Sequence, residues 1–205
     1  MSNPPRLTDR KRAAILQAAI SEFRANGFEA TSMDKIAATA DVSKRTVYNH
    51  FPSKDELFAA ILQELWESSA ALTELSYRSD RPLREQLLEL MQQKMRMMND
   101  AHFMDLARVA IAATIHSPER AREMIERMDK REEGLTAWIR LAQADGKLKP
   151  VDPEFAAHLL QGQLKAFAFW PQIAMGQAPL DEAQQAMVVQ TAADMFLEYW
   201  ATKLN

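Results

Sequence analysis

The sequence predicts an all-α protein: a three-helix N-terminal head and a larger helical body, about nine helices in total. Three observations lead there. Apolar residues recur at helical spacing along the whole chain, and no window sustains the alternation of a half-buried strand. Signals of the form Ser, Thr or Asp followed by Pro or Glu stand ahead of most of those windows. Only 5 glycines occur in 205 residues, too few for an architecture built on tight turns.

Taken in order, the first helix is expected from an N-cap at Thr8 to Asn26. It carries Ile15, Leu16, Ala19, Ile20 and Phe23 on one face, and Gly27 stops it. Thr31-Ser32 opens a short helix from Met33 to Ala40. Asp41-Val42-Ser43 breaks the chain, and Ser43 is placed to cap a second short helix, Lys44 to His50, which Phe51-Pro52 ends. Ser53 with Glu56 reads as a capping box for a long helix to about Tyr77. Pro82 stands in the first turn of a helix to about Asn99, and another spans about Phe103 to Ile115. Ser117-Pro118-Glu119 starts a helix expected to run on to Ala144 and close at Asp145-Gly146. Asp152-Pro153-Glu154 starts the next, to about Trp170, where Pro171 kinks or ends it. Asp181 opens the last, to about Lys203.

Composition narrows the function classes. An apolar share of 47% and a charged share of 26% are those of an ordinary globular protein. The absence of cysteine excludes disulfides, thiolate metal sites and Cys nucleophiles. The first residues have no apolar stretch behind their charges, and nothing approaches the ~18 apolar residues of a membrane span. A cytoplasmic protein without a membrane partner is expected. The net charge of −3 divides unevenly: residues 1–55 carry 9 Lys/Arg against 6 Asp/Glu, and residues 56–205 carry 16 against 22. A mildly basic head on an acidic body suits a chain whose front alone meets a polyanion.

Residues 33–51, MDKIAATADVSKRTVYNHF, fit a helix-turn-helix. Ala37 is the small residue where the helices cross, and Ile36, Ala40, Val42 and Val47 face back into the head. The turn wants a residue that tolerates positive φ, and Asp41 is second choice after Gly. The second helix then exposes Lys44, Arg45, Thr46, Tyr48, Asn49 and His50, an edge of hydrogen-bonding side chains suited to a major groove. On spacing alone a helical hairpin with a solvated polar face fits equally well.

The stretch ILQAAISEFRANGFEATSMDKIAATADVSKRTVYNHFPSKDELFAAIL resembles the N-terminal domain of TetR-family regulators nearly end to end. The likeness is carried by the Phe-x-x-x-Gly-Phe turn at Phe23 to Phe28, the run from Thr31 to Ile36-Ala37, and Val42-Ser43 with Tyr48, His50, Phe51, Lys54 and Leu57. Asp41 departs from it, since the family usually has Gly there. The resemblance implies a DNA-binding domain over 8–56 with its motif at 32–51, and an effector-binding and dimerisation domain over 57–205. It assigns Tyr48, His50 and Lys54 to phosphates, with Thr31 from the start of the preceding helix. Arg45, Thr46 and Asn49 are the candidates for base edges, Arg45 for guanine and Asn49 for adenine. Arg6, Arg10 and Lys11 are possible further contacts to phosphate or the minor groove.

In the body, Met91, Met95, Met97, Met98, Met104, Met124 and Met128 fill a core or line an adaptable pocket. The runs ARVAIAATIHSPERAREMIERM, AFAFWPQIAMGQ and MFLEYW resemble an AefR-like C-terminal regulatory domain. That resemblance implies a small, largely apolar effector, with Trp66, Met91, Met95, Phe103, His116, Trp138 and Phe167 as candidate pocket residues. It also implies a homodimer formed by the last two helices, with Leu159, Leu160, Leu164, Val188, Thr191 and Met195 at the interface. The alternative is that both apolar faces are buried within one chain.

A double-stranded operator, an effector and a second copy are therefore the expected partners, and no cofactor is expected. Repression is expected from family habit; an activating or ligand-independent regulator of the same fold is the alternative. No phosphate-binding glycine loop, G-x-S-x-G elbow or metal triad supports an enzyme, and His50, His102, His116 and His158 are isolated. A nonspecific DNA-coating protein would be far more basic than a chain of pI near 5.9.

Overall fold

A computed structural model describes residues 7–71, 76–115, 117–128 and 134–202. Among them the chain is helical, with no strand beyond an isolated antiparallel bridge between Leu148 and Ala201. The helices are α1 (Leu7–Asn26), α2 (Met33–Thr39), α3 (Lys44–His50), α4 (Lys54–Ala71), α5 (Leu83–Asn99) and α6 (Ala101–Thr114). There follow α7 (Pro118–Met128), α8 (Gly134–Ala144), α9 (Pro153–Leu164), a π-helical turn (Lys165–Phe169), α10 (Trp170–Ala174) and α11 (Glu182–Trp200).

This is more pieces than the sequence reading gave, for two reasons. The stretch 118–144 forms α7 and α8, with residues 129–133 outside the described set. The stretch 153–174 is divided by the π-turn. Pro171 has no N–H, and in a regular α-helix its ring would meet the carbonyl four residues back. Widening the turn before it, where the Trp170 N–H donates to the Lys165 carbonyl, lets the chain pass the proline and stay helical to Ala174.

The chain divides into two compact units. One holds residues 1–66 and 105–128. Its core joins Ile15, Ala19 and Phe23 of α1, Ile36 of α2, Val47 of α3 and Leu57 and Ile61 of α4 to Leu106, Val109 and Ala110 of α6. Phe23, Phe28 and Phe58 form an aromatic chain with centroids 5.2 and 5.3 Å apart. Each such side chain contributes about 1.5–3 kcal/mol when fully buried. The short helices α2 and α3 are therefore held by packing, since seven residues are too few for a helix to persist alone.

The other unit holds residues 67–104 and 129–205. Leu87, Leu90, Met91, Met95 and Met98 of α5 pack with Trp138 and Ile139 of α8, Leu160 and Leu164 of α9, and Val189, Ala193 and Phe196 of α11. Buried Gln86 organises one end. Its amide accepts from the Arg78 N–H (2.8 Å), donates to the Arg78 and Arg81 carbonyls (both 2.9 Å), and takes the Trp138 indole N–H at 3.4 Å.

Several predicted ends move. Helix α1 begins at Leu7, so Thr8 lies inside its first turn. Residues 76–78 are not helical, so the fourth helix does not reach Tyr77. The Tyr77 ring instead packs edge-on to Trp138, and its hydroxyl donates to Asp145. Helix α11 stops at Trp200 rather than Lys203, because the Trp200 carbonyl accepts from the Lys149 N–H while the Thr202 N–H donates to Lys147.

Candidate nucleic-acid interface

The stance of α3 is set by local chemistry on either side of a three-residue turn. Ser32 caps α2 by accepting the Lys35 N–H at 3.2 Å, and Ser43 caps α3 by accepting the Thr46 N–H at 3.1 Å. Between them Asp41 sits at φ 52°, the only positive φ of a non-glycine residue among the described residues. The Asp41 N–H donates to Ala38 and the Val42 N–H to Ala37, the crossed pair of bonds that closes a helix through a left-handed residue. Ala37 and Val47 are buried where the helices meet. The motif predicted over 32–51 is formed, including its left-handed Asp41.

A brace ties α2 back to α1. The Glu22 carboxylate accepts from the Thr39 hydroxyl at 2.7 Å, from Asn26 at 2.9 Å and from Lys35 at 3.2 Å. The Thr39 hydrogen bond, with Lys35 and Asn26 behind it, holds this carboxyl below the ordinary 4.5.

The outward edge of α3 carries Lys44, Arg45, Tyr48 and Asn49 exposed, with Thr46 and His50 half-buried. The polar groups of Arg45, Tyr48 and Asn49 have no partner among the described residues and face solvent. Lys44 pairs with Asp34 of α2, and the Thr46 hydroxyl meets Ser43 at 2.8 Å. Three groups with no internal partner on one short helix edge suit the reading of base edges and phosphates.

Two expected phosphate ligands make internal hydrogen bonds in this structure. Thr31 is buried, and its hydroxyl is shared between the Gly27 carbonyl at 2.8 Å and the Glu22 backbone carbonyl at 3.2 Å. The Lys54 ammonium donates to the carbonyls of Phe28 (2.6 Å), Glu29 (3.1 Å) and Thr31 (3.1 Å), and lies 4.4 Å from the Phe28 ring centre. In this structure both close the turn between α1 and α2, with their donors already used. Arg10 and Lys11 are exposed on the first turns of α1, and Arg6 lies outside the described residues. Sequence reasoning missed Arg12, whose guanidinium stands 5.0 Å over the Phe51 ring at the end of α3. The basic run Arg10-Lys11-Arg12 was the available signal.

The proposed pocket residues fall partly in each unit and partly outside the described residues. Met91, Met95 and Trp138 share the buried core of the second unit, and Phe103 is buried in the same unit. Trp66 belongs to the first unit, and His116 lies outside the described residues. Phe167 is 58% exposed, because the extra residue of the π-turn brings Ala168 inward in its place.

The predicted interface set divides by direction. Leu160 and Leu164 are buried within their own unit, a correction to their placement at an interface. Leu159, Thr191 and Met195 are exposed, and Val188 is half-buried. Every fourth residue of α9 from Phe155 reaches the outer face, which continues to Phe167 and Trp170, and α11 adds Met187, Met195 and Tyr199. A groove between the two helices is lined by Leu159, Gln163, Met195 and Tyr199. Among the described residues no cluster of His, Asp and Glu suits a metal, and no helix is long and apolar enough to cross a membrane.

Comparison with known proteins agrees with this geometry. The family model for bacterial regulatory proteins of the tetR family matches residues 15–61, and that for the AefR-like transcriptional repressor C-terminal domain matches residues 85–202. The chain is 55% identical to a TetR family transcriptional regulator of known structure from Pseudomonas syringae pv. tomato, covering 97% of this chain and 100% of that one, at a TM-score of 0.87. It is similar to the flavonoid-responsive regulator FrrA, 26% identical over 96% of this chain and 100% of that one, at a TM-score of 0.72. The HTH-type transcriptional regulator RutR of Escherichia coli K12 is 26% identical over 82% of this chain and 79% of its own length.

Proposed function

The chain belongs to the TetR family of DNA-binding transcriptional regulators, and from that premise we propose that it is a homodimeric repressor released from a near-palindromic operator by a small, largely apolar effector. The observation that carries the reading is the edge of α3, where Arg45, Tyr48 and Asn49 stand without a partner among the described residues on a helix fixed by Ser43 and Asp41. Arg45 is aimed at guanine, Asn49 at adenine, and Tyr48 and His50 at phosphates. Lys44, Thr46, Arg10, Lys11 and Arg12 support the same surface, while Lys54 and Thr31 shape the turn behind it.

Dimerisation is supported by the outer face of α9, the π-turn, α10 and α11, where seven large apolar side chains are 47% exposed or more. A monomer rarely leaves so continuous a patch in water. Gly162 and Ala166 leave room on that face for a partner helix to approach closely. A two-fold dimer places its α3 helices about one DNA turn apart, roughly 34–36 Å or a multiple, and so reads an inverted repeat.

Repression is supported by the match of residues 85–202 to a repressor domain. An apolar effector is supported by the methionine-rich interior of the second unit and by the likeness to a flavonoid-responsive regulator. Binding of effector and operator then oppose each other by one coupling energy, typically about 1–3 kcal/mol.

The test is selection of duplexes from a random pool with purified protein, followed by salt titration of the winners. The expected result is an inverted repeat with half-sites about one turn apart, bound roughly a thousandfold or more tighter than bulk DNA. Failure to enrich any sequence, with binding lost at modest salt, would reject specific operator binding.

A further inference from the structure

We propose that Arg120, on α7, is a positioning residue for DNA reading that clamps the turn between α1 and α2 and thereby fixes the stance of α3. The inference rests on the operator-binding reading above and adds to it a residue from far along the sequence.

Two cations stand against the Phe28 ring. Lys54 Nζ is 4.4 Å from its centre and the Arg120 guanidinium carbon 4.0 Å. Arg120 also reaches Glu29 at 2.8 Å and Asp55 at 3.5 Å, so one side chain of α7 touches both the turn and the start of α4. The Glu29 and Asp55 side chains are 80% and 75% exposed, and such ion pairs contribute little by themselves. The contact with Phe28 carries more, because the ring is buried and the guanidinium carbon lies 4.0 Å from its centre.

The clamped turn runs directly into Ser32, the cap of α2, and α2 is joined to α3 by the crossed hydrogen bonds around Asp41. A shift of Phe28 to Thr31 is therefore passed to α3 by stiff elements. Arg120 belongs by sequence to the regulatory-domain match over 85–202, yet it packs within the unit that carries α3. A residue of the regulatory-domain match thus acts on the reading helix through the α1–α2 turn and α2.

The test compares wild type, Arg120→Ala and Arg120→Lys by amide hydrogen exchange on the free protein and by affinity for a duplex recovered from the random pool. In Arg120→Ala, amides 35–42 should exchange roughly threefold faster or more, while α5 and α11 keep their protection. Affinity should fall roughly threefold to tenfold with the salt slope unchanged, and Arg120→Lys should lie between. A slope smaller by about one unit would make Arg120 a phosphate ligand and overturn the proposal. Wild-type protection over 35–42 would overturn it equally. Should wild type enrich no duplex, the reading of the head fails, and the exchange contrast alone then upholds or overturns the clamp.

Discussion

Asp41 at φ 52° holds a conformation that L-residues other than glycine adopt at a cost. That cost is roughly 1–2 kcal/mol for an ordinary side chain and less for aspartate. Asp41→Gly removes it but adds about 0.5–1 kcal/mol of lost backbone freedom on folding. The net expectation is a gain of about 0.5 kcal/mol, read as a higher urea midpoint, whereas Asp41→Val should lower it. Arg45 and Lys44 are neighbours that should behave differently. Arg45 is unpartnered, so Arg45→Ala should cost ~1–3 kcal/mol of operator affinity and relax preference at one base pair. Lys44 spends its charge on Asp34, so Lys44→Ala should weaken all duplexes slightly and evenly. Competition assays with single-base variants of the selected duplex separate these; uniform loss for Arg45→Ala would remove it from base reading. Asp41 and Ser43 were legible in the sequence because their partners lie within five residues. Lys54 and Arg120 were not, since the hydrogen-bond partners of Lys54 lie 23 to 26 residues away and Glu29, the hydrogen-bond partner of Arg120, lies 91 away, and only the fold brings them together.

Helices with strong end signals were placed from sequence to within a residue or two: α2, α3, α5 and the start of α11, where Asp181 and Gln184 cap each other. Ends set by distant contacts were not, as Tyr77 drawn to Trp138 and Trp200 drawn to Lys149 show. The π-turn was illegible because periodicity assumes a constant rotation per residue, and that misplaced Phe167. Two predictions concern the short helices. Ser43→Ala removes the cap of a seven-residue helix and should cost about 1 kcal/mol of stability in urea unfolding. The Glu22 brace should make the same unit sensitive to acid. Its folded pKa is depressed, first by Thr39, so the unfolded chain binds more protons as the pH falls through the carboxylate range. The contribution is complete above the ordinary 4.5 and disappears as the pH falls through the folded value. Urea midpoints of wild type and Glu22→Gln should therefore differ at pH 7 and converge in acid. A gap that does not change with pH would show that the brace contributes nothing through its charge.

At the scale of the molecule, apolar patterning showed that the last helices carry more hydrophobic surface than one core needs, but not which residues face which way. Leu159 and Leu160 are adjacent in sequence and opposite in fate, 51% and 2% exposed. This makes a paired experiment decisive about the proposed two-fold seam. Leu159→Glu with Met195→Glu places charge on the outer face and leaves the core alone. The double variant should sediment as a monomer, keep its helical circular dichroism, and lose about a hundredfold or more in affinity for the full operator, because linkage of the two heads is lost. Its affinity for an isolated half-site should stay near that of one wild-type head. Leu160→Ala does the opposite: it empties part of the core and should cost about 2–5 kcal/mol of stability while the protein stays dimeric. If the double variant remained a dimer, the exposed apolar face of α9 and α11 would not be the seam. The spacing of the two α3 helices on DNA would then have to come from another surface. If Leu160→Ala dissociated the protein at full fold stability, α9 would be turned about its axis relative to this structure.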